Sequence, residues 1–197
     1  VQAPTSRNRS VRKPLWPISG ARCNSRSSIG PRDLEASLAA VNGYCLGGGN
    51  TLLLATDIRV AVPHAEFGMA EVTRGVIAGL GGTQRILLQL PDAIAMAFLL
   101  TGERIGAAAV ERWGLANKVV EPADLMTQAR AYATRIAANA PLAVRATKEL
   151  ALPSRDASLE DGMRLEQMMS HGLQTSEDVQ EGRAAFMQKR EPAFRGK

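Results

Sequence analysis

The stretch NGYCLGGGNTLLLATDIRVA, residues 42–61, decides how this chain is read. SLAAV before it is a short apolar run of the kind that forms a buried strand, and Asn42-Gly43 is a strong turn signal. Gly47, Gly48 and Gly49 then stand directly before the helix-like run NTLLLA, and IRVAV follows as a β-branched strand. Glycine weakens the interior of an element, so three together mark a tight turn or a close approach to the backbone. Strand, glycine turn, helix and strand make an α/β unit. The arrangement also leaves the first helical N–H groups without intrahelical partners, and such groups favour negative charge. The glycines alone fit both a plain strand-to-helix turn and an anion-stabilising site. They lack the spacing of a dinucleotide fingerprint or a phosphate-binding loop.

The pattern continues downstream. AEFGMAEVTRGVIAGLGG is a glycine-punctuated loop region, and GTQRILLQL starts a helix. Pro91 opens a helix over DAIAMAFLLTG that ends at Gly102, and RIGAAAVERWG forms another, closed by Gly114. LANKVVE is a strand. DLMTQARAYATRIAANA, PLAVRATKELAL, SLEDGMRLEQMMSHGL and SEDVQEGRAAFMQKR are four further helices. The expectation is an α/β fold with a helical C-terminal third.

At 197 residues, 45% hydrophobic and 22% charged, the chain fits one domain with a real core. No apolar run approaches the ~18 residues that span a bilayer. Cys23 and Cys45 have no metal or redox spacing, which favours a reducing compartment. The net charge of +5 is uneven: seven of the 24 Lys and Arg fall in residues 1–32 with no acid among them, leaving 17 against 19 acidic residues. The body is near neutral, so nucleic-acid binding loses its main electrostatic argument. The Arg-, Ser- and Pro-rich start reads as a flexible or non-native extension, or as a transit peptide interrupted by its prolines.

Glu71 sits in an apolar, glycine-rich context with no basic residue until Arg74. A poorly solvated carboxylate there has the chemistry of a general acid or base; an exposed loop carboxylate is the plain alternative. Gly79, Gly81 and Gly82 precede another helix. His64, His171 and Trp113 have no partner motif and read as surface or packing residues, and Met168-Met169 as core or subunit interface.

Taken together, AAVNGYCLGGG, FGMAEVTRGVIAGLGGTQR, LLTGERIGAAAVERWGLANKVV and EGRAAFMQKREPAFRGK closely resemble the crotonase (enoyl-CoA hydratase/isomerase) superfamily, from about Ile29 to the end. The resemblance implies a crotonase-like spiral of ββα units, incomplete at its N-terminus. It divides the chain into a basic extension (1–28), a partial core (29–130) and a C-terminal helical trimerisation region (131–197). It implies an acyl-CoA substrate, a homotrimer or homohexamer, no metal or redox cofactor, and a cytoplasmic or mitochondrial-matrix location, with neither nucleic acid nor membrane as partner.

By position, the middle glycine of the GGG run is an oxyanion donor in the family, which maps to Gly48. The carboxylate of the FGxPE segment is its acid/base, which maps to Glu71. The glycine of the following turn positions water or substrate, which maps to Gly79. An aromatic and a lysine in AFxxKR contact CoA, often that of a neighbouring subunit; these map to Phe186 and Lys189. Two departures stand out. Family hydratases carry a second glutamate two residues after the glycines, where this chain has Thr51, and a hydroxyl is no equivalent base at neutral pH. The loop that supplies the other oxyanion N–H has no match in residues 1–28, a loss worth ~10²–10³ in rate. The expectations are therefore a hydratase/isomerase-type enzyme, a single-glutamate isomerase, or an impaired fragment acting as a binding or scaffold protein.

Overall fold

The computed structural model describes residues 35–153 and 156–197. The basic extension expected over residues 1–28 lies outside them, as does Cys23. The chain first alternates between two sheets. β1 (Leu38–Val41) and β2 (Tyr44–Leu46) flank the Asn42-Gly43 turn, and α1 (Gly48–Leu53) crosses back. β3 (Ile58–Ala61) and β4 (Glu66–Gly68) repeat the step, followed by a 3-10 turn at Ala70–Arg74, α2 (Gly82–Leu87) and α3 (Asp92–Thr101). β5 (Ile105–Gly106), α4 (Ala107–Arg112) and β6 (Lys118–Val119) complete the sheets. One sheet has the order β1-β3-β6, all parallel; the other has the order β2-β4-β5, with β2 and β4 parallel and β5 antiparallel. Parallel neighbours need a crossover, and α1 supplies it for both sheets at once.

Packing on both faces explains the β-branched run at β3: Val60, Ala61 and Val62 have no exposed surface. Phe67, Met69, Ile86, Phe98, Val110 and Leu115 fill the space between sheets and helices, and Trp113 packs against them, as expected. Arg59 is buried among them but satisfied. Its guanidinium donates to the carbonyls of Leu115 (3.1 Å) and Thr56 (2.7 Å) and to the Thr56 hydroxyl (3.2 Å), stapling β3 to the loop before β6.

Three strands differ from the sequence expectation: β5 takes Ile105–Gly106 from the helix expected over RIGAAAVERWG, and the other two are β2 and β4. β2 occupies Tyr44–Leu46, where the sequence suggests a turn running straight into the glycines, and β4 lies inside the expected loop. Each is three residues long, too short for an alternation to register. They exist because they pair, Tyr44 opposite Glu66 and Leu46 opposite Gly68.

The C-terminal helices α5 (Leu125–Ala137), α6 (Pro141–Ala151), α7 (Leu159–Leu173) and α8 (Glu177–Gln188) follow as expected. α7 carries no buried residue, and Met168 is 73% exposed, which places it outside the core. No helix among the described residues is long and apolar enough to cross a membrane.

Lys148 on α6 ties this region to the sheet, donating to the Glu35 carbonyl (2.6 Å) and to Asp57 Oδ2 (2.8 Å). Asp57 Oδ2 also accepts the Ser37 N–H (2.7 Å) and hydroxyl (2.8 Å). Partial burial pulls the Asp57 pKa up, but the hydrogen bonds from Lys148 and Ser37 outweigh it and hold it below 3.8. A depressed carboxylate pKa stabilises the fold above the unfolded value, and that contribution is lost as pH falls through the folded value. Asp57→Asn is therefore expected to cost about 1–2 kcal/mol at neutral pH. Urea melts of the two proteins should converge below about pH 3.8; a gap that persists unchanged in acid would contradict the assignment.

Candidate active site

The site begins where β2 ends. Gly47 has φ 54 and ψ −122, a conformation that an L side chain resists, and its N–H donates to the Gly68 carbonyl at 2.8 Å. This bond joins the ends of β2 and β4 and turns the chain into α1. Gly48 is the first residue of α1, whose bonding starts with the Thr51 N–H to the Gly47 carbonyl at 3.0 Å. The Gly48 N–H thus belongs to the group of helix-opening donors that have no acceptor within the helix. Gly48 and Gly49 are exposed, and a Cβ on either would meet nothing within 4 Å.

Glu71 stands across from this turn. β4 delivers the chain to Met69, which is 1% exposed, and the 3-10 turn at Ala70–Arg74 then places Glu71 in its first turn. A Cβ built on Gly47 would lie 3.5 Å from Glu71 Oε1, so the bare glycine forms a wall of the carboxylate's surroundings. Glu71 Oε2 is buried without a hydrogen-bond partner. Arg74, the nearest cation in sequence, is turned away and donates to the Ala70 carbonyl at 3.2 Å. The structure therefore removes the exposed-loop alternative for Glu71 and leaves a partly shielded carboxylate facing a helix start.

The second glycine turn closes another side. Gly79 opens a tight turn in which the Gly82 N–H donates to its carbonyl at 2.9 Å, with Leu80 (φ 53) and Gly81 (φ 80) both left-handed. Arg85 braces this turn through the Leu80 carbonyl (2.9 Å), and the Thr83 hydroxyl does so through that of Ala78 (3.0 Å). Gly82 is where the two glycine segments meet: a Cβ there would come within 2.6 Å of Met69 Cε and 2.7 Å of Thr51 Oγ1. Thr51 is 2% exposed, so a hydroxyl rather than a carboxylate occupies this buried position of α1.

Phe186 and Lys189 lie elsewhere, at the exposed end of α8, and no hydrogen bond or ion pair among the described residues links them to Glu71. Sequence reasoning passed over Asn50. It is fully buried in the first turn of α1, with both side-chain polar atoms unpaired. The signal was present in the sequence, since a polar residue directly after a glycine turn in an apolar run has to be buried or capping.

The sequence model for enoyl-CoA hydratase/isomerase matches residues 35–197, all of the described chain. The chain belongs to the enoyl-CoA hydratase/isomerase family. The (E)-benzylidenesuccinyl-CoA hydratase of Thauera aromatica is 46% identical over 159 residues, which are 81% of this chain and 62% of that protein. The carnitinyl-CoA dehydratase of Proteus mirabilis is 41% identical over 166 residues, 81% of this chain and 63% of that one. The crystal structure of the enoyl-CoA hydratase from Mycobacterium tuberculosis superposes with a TM-score of 0.81 at 40% identity, covering 83% of this chain and 65% of that one. The fold is thus the crotonase fold of this family. The chain spans less than two thirds of the length of these relatives.

Proposed function

We propose that the chain acts on an acyl-CoA thioester by moving a proton at the carbons next to the thioester carbonyl, with Glu71 as the proton-transfer residue. The observation that carries this reading is the carboxylate of Glu71 set against Gly47, one residue before the helix-opening Gly48, with Oε2 buried and unpaired. Glu71 takes a proton from carbon, and the electron pair moves onto the thioester oxygen to give an enolate. The Gly48 N–H donates to that oxygen, where charge develops, an interaction of the kind often worth ~3 kcal/mol. Glu71, now neutral, returns the proton to a different carbon, which shifts the double bond. In this reading Gly79 shapes the wall opposite the reacting carbons. Phe186 and Lys189 contact the CoA moiety, the lysine through phosphate. No metal or redox group takes part; CoA enters as part of the substrate. Apolar side chains exposed on α7 and α8, Met168 and Phe186 among them, support assembly as a trimer or hexamer, which light scattering measures.

Hydration of a 2-enoyl-CoA is the second reading, favoured by the names of the relatives, a hydratase and a dehydratase. It asks one carboxylate to activate water and also to manage protonation of Cα, because the buried Thr51 hydroxyl cannot share the work at neutral pH. Purified protein incubated with 3-enoyl-CoA and with 2-enoyl-CoA separates the readings. Isomerisation is expected to be the faster reaction, and Thr51→Glu is expected to raise hydration by at least tenfold, about 1.4 kcal/mol in the barrier. High hydration in the unaltered chain would overturn the preference for isomerisation. Turnover of neither ester would overturn the catalytic reading itself.

A further inference from the structure

The charge-rich ending of the chain is folded back along α8 by the helix's own carboxylates. Glu181 takes both guanidinium nitrogens of Arg190, at 2.6 and 2.8 Å, and the Ala193 N–H at 2.7 Å. One turn earlier Asp178, 4% exposed, accepts the N–H groups of Arg195 (2.7 Å) and Gly196 (2.9 Å), while its own N–H donates to the Lys197 carbonyl (3.3 Å). Phe194 packs over Gly182, where a Cβ would lie 3.5 Å from the ring. Residues 178, 181, 182 and 185 share one helix face, so the tail runs along a single groove. Hydrogen bonds from Arg190, then from Ala193, lower the Glu181 pKa to about 2, so this hold persists across the ordinary pH range.

The turn that reverses the chain is unusual in one residue. The Lys189 N–H donates to the Phe186 carbonyl (3.2 Å) and the Arg190 N–H to that of Ala185 (3.1 Å), the pattern that normally ends a helix on glycine. Here a lysine occupies the left-handed position, with φ 53 and ψ 39, at a conformational cost that glycine avoids. A strained non-glycine residue held by surrounding bonds points to a use for its side chain. Of the two adjacent cations, Arg190 is consumed by Glu181, whereas Lys189 is exposed and has no ion pair among the described residues. Phe186, in the last turn of α8 before it, is 83% exposed.

We infer that Asp178 and Glu181 are positioning residues: by clasping the tail they fix the left-handed turn at Lys189 and aim its ammonium at the phosphates of CoA. This rests on the reading of Phe186 and Lys189 as CoA contacts. The test titrates the full chain with CoA and with an acyl-pantetheine, which has the thioester but none of the nucleotide phosphates. Glu181→Gln and Asp178→Asn are expected to weaken CoA binding roughly tenfold and to leave acyl-pantetheine binding unchanged. Glu181→Gln added to Lys189→Met should cause no further loss. Lys189→Gly should raise the Tm while weakening CoA. The inference is overturned if Glu181→Gln binds CoA like the parent, weakens both ligands alike, or adds fully to Lys189→Met. A parent chain that binds no CoA overturns the CoA reading itself, and the clasp with it. Should Asp178→Asn fail to fold, Glu181→Gln decides alone, because its side chain is 24% exposed.

Discussion

Glu71→Gln is expected to lower turnover of an enoyl-CoA by about 10²–10⁴-fold, the usual contribution of a positioned acid or base. The fold should survive the change. Glutamine preserves the shape of the side chain, and Glu71 Oε2 is already buried with no partner to lose. Replacing a shielded, unpaired carboxylate by a neutral amide removes a desolvation cost, so the Tm should hold or rise. Glu71→Asp sharpens the test. It keeps the carboxylate but withdraws it from the Gly47 wall by one methylene, and a misplacement of about 1 Å costs on the order of 10²-fold. Loss of rate in both variants at unchanged Tm would mark a residue that acts on the substrate. A parental rate in Glu71→Gln would remove Glu71 from the mechanism.

The helices were legible because their signals are local. Pro91 and Gly102 bracket α3, and Gly114 closes the turn after α4. β2 and β4 were not, because three residues form a strand only when a partner distant in sequence supplies the other half of the ladder. The same limit applies to the site. Composition around Glu71 suggests a shielded carboxylate, but its approach to Gly47 depends on β2 pairing with β4, which the sequence does not display. Resemblance to a family marked Glu71 and Gly48 without that geometry. It gave no account of Asp178, whose partners are backbone N–H groups of the tail and so carry no signature in residue type, nor of Glu181, which combines one such group with the Arg190 side chain nine residues on.

Gly47 and Gly49 should respond to the same substitution in opposite ways. Gly47→Ala forces φ 54, ψ −122 on a residue with a Cβ, a strain of about 1–3 kcal/mol. Relaxing that strain would break the 2.8 Å bond to Gly68, which carries both the start of α1 and the wall beside Glu71. Stability and turnover should fall together, the rate by about as much as in Glu71→Gln. Gly49→Ala differs on every count. Its φ lies outside the left-handed region, its Cβ would meet nothing within 4 Å, and it sits in a helix where alanine is better by about 1 kcal/mol. Nothing within the chain asks for glycine there. If the open space above α1 receives the thioester, Gly49→Ala should raise the urea midpoint and still lower turnover, because the added methyl intrudes where the substrate lies. A Gly49→Ala protein that is both more stable and fully active would show that the thioester does not lie over Gly49.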